Sequence, residues 1–163
     1  MTPFPNVLLR TQSGAAVRFY DDVLKGRVVT INFFFTTCTT ICPRTTANLV
    51  KVQDALGASL GRDVMMISIT VDPNTDTPPV LERYARAHGA RPGWFFLTGS
   101  QKDIDQVRRH LGVNRDGGDN KTQHTGMLSY GNEATGQWAA TPAMADPAQI
   151  ARSVLRLARR NAS

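Results

Sequence analysis

Two cysteines are all that this 163-residue chain contains, too few for the disulfide framework of a small secreted domain. It needs no such staple, because a chain of this length buries a substantial core. There is no repeat at solenoid period, no low-complexity tract and no apolar run of membrane-spanning length. The N-terminal MTPFPNVLLRTQSG lacks a charged stretch followed by a long apolar one, so no signal peptide is expected in the chain as given. Aromatic residues are sparse at 7%, and none interleaves with Arg152, Arg156, Arg159 and Arg160, where the +6 charge is densest. That excludes a stacking surface for single-stranded nucleic acid. Cations there complement a helix C-terminus. With 41% apolar and 20% charged residues, the composition is that of an ordinary globular protein. One domain over residues 1–163 is expected, as a monomer.

The stretch from Ile31 to Asn48, INFFFTTCTTICPRTTAN, organises the rest. Val28 to Phe35 is a continuous apolar and β-branched run, the pattern of a central strand buried on both faces. Pro43 suits the first turn of a helix over Thr45 to Leu56, with Thr39 or Thr40 as cap and Gly57 at its end. Before this lies a small hairpin, Val7–Leu9 with Ala16–Phe19, about the turn Thr11 to Gly14. After it come a second buried strand, Val64 to Val71, and a turn, DPNTDTPP, in which Asp76 or Thr77 caps a helix closed by Gly89. A strand at Trp94–Leu97, a helix at Lys102–Leu111, a polar glycine loop at 114–123, a hairpin of Met127–Tyr130 with Gln137–Ala139, and a helix at Pro147–Arg159 complete the chain. Strands alternating with helices argue an α/β fold, a mixed sheet with helices on both faces. The order is the thioredoxin-like plan, with an N-terminal hairpin at about 5–20 and a core at about 26–160.

Cys38 and Cys42 sit where the central strand gives way to a helix, the edge at which α/β folds place their chemistry. In a regular helix, residues four apart have Cβ atoms about 5–6 Å apart, whereas a disulfide wants about 3.5–4.5 Å. A bridge therefore requires Cys38 to stay in the loop, while two thiolates on one metal ion fit the spacing readily. Helix N-terminal amides favour thiolates, which serve equally as nucleophiles and as ligands. Two sulfurs alone do not complete a metal site. His88 and His110 each fall in the last turn of a helix, a routine place for histidine. His124 instead ends the glycine loop directly before a strand, a position that in this fold lies beside the cysteine helix. Cys38, Cys42 and His124 make a soft set suited to Cu(I), and the same set can hold Cu(II). Met65 and Met66 read as core filler, and Met127 as a remote further ligand.

Cys38-Thr-Thr-Ile-Cys42-Pro43, followed by Val71-Asp72-Pro73-Asn-Thr-Asp76-Thr77-Pro78 and then His124, resembles the Sco/SenC family over most of the chain. The resemblance implies a copper site of Cys38, Cys42 and His124 and a part in maturing the binuclear copper centre of cytochrome c oxidase subunit II, or of another copper protein. It also implies an extracytoplasmic location such as the bacterial periplasm, held by an N-terminal anchor that this chain lacks. Asp72 and Asp76 match the family motif; both suit turn and capping chemistry, and Asp72 also suits a supporting place beside the cysteines. Where thioredoxins carry a cis-proline opposite their cysteines, this chain has Gln123-His124-Thr125-Gly126. A ligand thus takes the place of the element that shapes a substrate groove, which tilts the reading from enzyme to metal carrier.

The competing reading is a thiol–disulfide oxidoreductase or redox sensor, with Cys38 attacking and Cys42 resolving. A peroxiredoxin does not fit. Counting back from Cys38 reaches Ile31 and Phe35, and from Cys42 reaches Phe35 and Thr39, so the proline of that active site is missing.

Overall fold

The computed structural model describes residues 4–37, 41–112 and 126–162, with the backbone alone for Ile41, Cys42 and 159–162. Cys38 and His124 therefore lie outside the described residues, as do Thr39, Thr40 and the 114–123 loop.

Seven strands form one mixed sheet: β1 (Leu8–Thr11), β2 (Ala16–Arg18), β3 (Val28–Phe34), β4 (Val64–Thr70), β5 (Trp94–Thr98), β6 (Met127–Asn132) and β7 (Gln137–Pro142). Their spatial order is β2-β1-β5-β4-β3-β6-β7. β3, β4 and β5 run parallel, and β6 returns antiparallel beside β3. All seven residues of β3 are buried, as expected for a strand covered on both faces.

Alternation along the parallel strands divides the core in two. Phe34, Met66 and Phe96 face α1 (Ile41–Leu56), α2 (Pro78–Ala87) and α4 (Pro147–Ala162), packing against Leu49, Leu81 and Val154. Ile31, Phe33 and Ile69 face the other way, towards α3 (Gln101–His110) and a π-helical turn at Phe19–Leu24, with Ile104, Val107 and Phe19. Neighbours on a strand point to opposite faces, so both layers are built from the same strands.

Polar side chains cross the middle of this sheet. Trp94 Nε1–H donates to Ser68 Oγ at 3.0 Å, and Ser68 Oγ–H donates to Asn32 Oδ1 at 2.6 Å. Asn32 and Ser68 are register partners. The chain of bonds gives the buried indole the acceptor it needs.

One helix start is corrected. α1 begins at Ile41, not at Thr45, and so takes Cys42 and Pro43 into its first turn. Of the two residues expected to cap α2, it is Thr77 and not Asp76 that holds the position. The Thr77 side chain makes no capping bond, and Pro78 opens the helix. Asp76 is instead fully buried.

Candidate metal centre

Cys42 is the second residue of α1, whose N-terminus follows the carboxyl end of β3. Helix N-terminal amides carry partial positive charge, the setting that favours a thiolate. The loop between β3 and α1 is held at its start. The Asp76 carboxylate accepts from the Thr36 backbone N–H at 3.0 Å, from the Thr36 hydroxyl, and from the Thr70 hydroxyl at 2.6 Å. A buried carboxylate must find donors, and all three come from the ends of adjacent parallel strands. The turn that carries Asp76 is itself closed by its N–H donating to the Asp72 carbonyl at 2.9 Å.

Asp72 is half-buried on the same edge. Val71 N–H donates to the Phe34 carbonyl at 2.8 Å, and Asp72 N–H donates to Thr70 Oγ1 at 3.0 Å. This puts Asp72 two residues beyond the end of the β3–β4 ladder, near where the chain leaves β3.

The far side of α1 is fixed by Asn48, whose Nδ2 donates to the carbonyls of Ala143 at 2.8 Å and Ala145 at 2.9 Å. Thr46 and Tyr84 hydroxyls share a hydrogen bond of 2.8 Å, tying α1 to α2. The helix bearing Cys42 is therefore held on two sides.

β6 enters the sheet at this same edge. Leu128 pairs with Asn32 in antiparallel register, so continuing the ladder brings Gly126 level with Phe34. In sequence, Gly126 is two residues after His124 and Phe34 is four before Cys38.

The other histidines sit elsewhere. α2 and α3 each run back from the carboxyl edge of the parallel strands, so His88 and His110, at their ends, lie towards the opposite edge. His88 packs on Tyr84 with ring centroids 4.4 Å apart, and His110 on Phe4 at 4.3 Å. Burial lowers the pKa of both, since it disfavours the charged imidazolium. Met66 is in the core, whereas Met127 is 42% exposed at the start of β6. Among the described residues no three His, Cys, Asp or Glu side chains converge as a metal site.

Sequence reasoning gave Asp76 a local role and missed its bonds to Thr36 and Thr70. The only signal was a second Asp in a Pro-rich turn, which capping explains equally well.

The family model SCO1/SenC matches residues 8–159. The SCO1 protein homolog of Bacillus subtilis is 42% identical over 85 residues, covering 51% of this chain and 44% of that protein. The chain spans about half the length of the curated relatives it matches. Bradyrhizobium japonicum ScoI, solved with copper bound, superposes with a TM-score of 0.73 at 26% identity, over 96% of this chain and 98% of that one. BsSco, described as a Sco-family cytochrome c oxidase assembly protein with a disulfide switch, gives 0.75 at 26% identity, over 94% and 91%. The fold is thus the thioredoxin-like fold of Sco proteins, and the chain belongs to the SCO1/SenC family.

Proposed function

We propose that this protein is a copper carrier that holds one ion through the Cys38 and Cys42 thiolates and the His124 imidazole. Copper is its cargo. The donor set suits the ion: two soft sulfurs and one imidazole favour Cu(I) and tolerate Cu(II). The observation that carries the reading is the convergence at one sheet edge. α1 opens there with Cys42 in its first turn, the Asp76 bonds fix the start of the Cys38 loop, and β6 begins there two residues after His124. The copper-bound structure of B. japonicum ScoI supports it.

In this reading the thiolates bind first and His124 closes the site from the other side of the loop. Release follows when His124 leaves or when the thiols are oxidised. Forming the Cys38–Cys42 disulfide from the two thiolates gives two electrons to an oxidant such as the disulfide of another protein, which leaves as two thiols with protons from solvent, and removes both sulfur ligands at once. The recipient is a copper site of cytochrome c oxidase subunit II or another copper protein, in line with the assembly role described for the family of BsSco. The place of action is outside the cytoplasm. A Bacillus anthracis lipoprotein of the same family, 25% identical, supports this. Among the described residues no helix is long and apolar enough to cross a membrane.

The disulfide switch described for BsSco favours a second reading in which the dithiol itself is the working group. Copper titration of reduced His124→Ala separates the two. The carrier reading predicts affinity lowered by about tenfold or more. Unchanged copper affinity, with intact reduction of a model disulfide, would favour the thiol reading.

A further inference from the structure

β7 forms one edge of the sheet, and its hydrogen-bonding pattern can be read from the register. Ala143 N–H donates to the Gly126 carbonyl at 2.8 Å. Bonded and non-bonded pairs alternate in an antiparallel ladder, so Gln137, Ala139 and Thr141 bond inward to β6. Trp138, Ala140 and Pro142 turn their backbone groups outward. Pro142 has no N–H to offer, as suits a proline on an edge. No described residue bonds to the backbone N–H or C=O of Trp138 or Ala140.

Sheet edges are usually blunted by charge or shortness. The opposite edge, β2, is only three residues long and carries Arg18. β7 is twice as long and carries no charge. A hollow lies on each side of it. On the α3 face, Phe4, His110, Leu111, Trp138 and Ala140 line a mainly apolar groove of about 360 Å³. On the α4 face, Gln137, Ala139, Ser153 and Arg156 line one of about 220 Å³. Arg156 is exposed and forms no ion pair among the described residues. Arg152 lies one turn before it on the same helix.

We propose that the β7 edge receives an extended segment of another protein as an added strand, its residues alternately apolar and acidic. The backbone groups of Trp138 and Ala140 pair with the incoming main chain, as in strand addition to other sheet edges. Side chains on an extended strand alternate between faces. Apolar ones then enter the groove beside Phe4 and Trp138, and acidic ones meet Arg156. Charge argues against a second copy as occupant: each chain carries +6, and twofold edge pairing would bring both α4 helices, with Arg152 and Arg156, onto one face. The inference is independent of copper binding.

The test uses the reduced, metal-free chain and a fluorescein-labelled decapeptide of alternating valine and glutamate, followed by fluorescence anisotropy. Saturable binding is expected, and none when lysine replaces glutamate. Ala140→Pro deletes one outward N–H, leaves the bonds to β6 in place, and weakens binding about tenfold; Arg156→Glu weakens it about fivefold. Hydrogen exchange on the unmutated protein reads the same edge without any risk of misfolding. The N–H groups of Trp138 and Ala140 gain protection when the peptide is added, whereas those of Ala139 and Thr141 are protected already. Absence of peptide binding, or binding that leaves Trp138 and Ala140 unprotected, overturns the proposal. Dimerisation of the free chain that Ala140→Pro abolishes would make a second copy the occupant and overturn the choice of partner.

Discussion

The carboxylate of Asp76 accepts hydrogen bonds from both the backbone N–H and the hydroxyl of Thr36, forty residues earlier in the chain. Through that contact the turn after β4 holds the chain where it leaves β3, two residues before Cys38 in sequence. The Thr70 hydroxyl completes the arrangement from the end of β4. Asp76→Ala leaves three buried or half-buried donors without an acceptor, and a loss of about 2–4 kcal/mol is expected from urea unfolding. Asp76→Asn keeps one acceptor oxygen and costs less. Equal stability of Asp76→Ala and the unmodified protein would remove the carboxylate from its proposed anchoring role.

Gly131 is fixed by a neighbouring ring. A Cβ built there would stand 2.4 Å from two atoms of the Trp138 indole, its register partner on β7. The indole must shift to admit a methyl group, and Trp138 also packs on Phe4 with centroids 4.9 Å apart. Gly131→Ala is expected to destabilise by about 1–3 kcal/mol and to change tryptophan fluorescence. Among the described residues no atom lies within 4 Å of the same construction at Gly126, so Gly126→Ala serves as the mild control.

His88 and His110 set an acid limit on stability. Burial lowers the folded-state pKa of each below its usual 6.5. A group with a lowered pKa stabilises the fold above the unfolded value and loses that contribution as pH falls through the folded value. The thermal midpoint is therefore expected to drop below about pH 6.5. Replacing both histidines with glutamine should flatten that part of the curve. NMR titration should place both imidazoles on the acid side of ordinary histidine.

Oxidation and copper binding should exclude each other. Protein treated with a disulfide oxidant is expected to bind no copper at its dithiol, and reduction is expected to restore binding to one ion per chain. Mass analysis after thiol alkylation, run beside the copper titration, follows both properties in one sample.

Much of the scaffold was legible because periodicity and burial agree. The apolar run at Val28–Phe34 became the central strand, and the Met127 and Gln137 segments became the predicted hairpin. Boundaries were less legible. α3 begins at Gln101 because Ser100 accepts from Asp103 N–H at 3.1 Å, a cap that no apolar pattern announces. α1 runs back to Ile41 because a proline in the first turn forfeits no helical hydrogen bond. Polar residues inside apolar runs were the least legible. Asn32 and Ser68 look like interruptions in sequence but bond across two strands, and Asp76 looks like a cap but bonds across forty residues. Pairings of that kind depend on strand order, which a linear reading does not supply. At the candidate site, the sequence picked out Cys42 and its helix. Cys38 and His124 lie outside the described residues and rest on motif and topology.

Absorption spectroscopy of the reduced protein during Cu(II) addition reads copper coordination by Cys38, Cys42 and His124 itself. A strong sulfur-to-copper charge-transfer band that saturates at one ion per chain is expected. The band should vanish in Cys38→Ser and Cys42→Ser and should weaken or shift in His124→Ala. A band that is absent, or one that all three substitutions leave unchanged, would contradict that coordination.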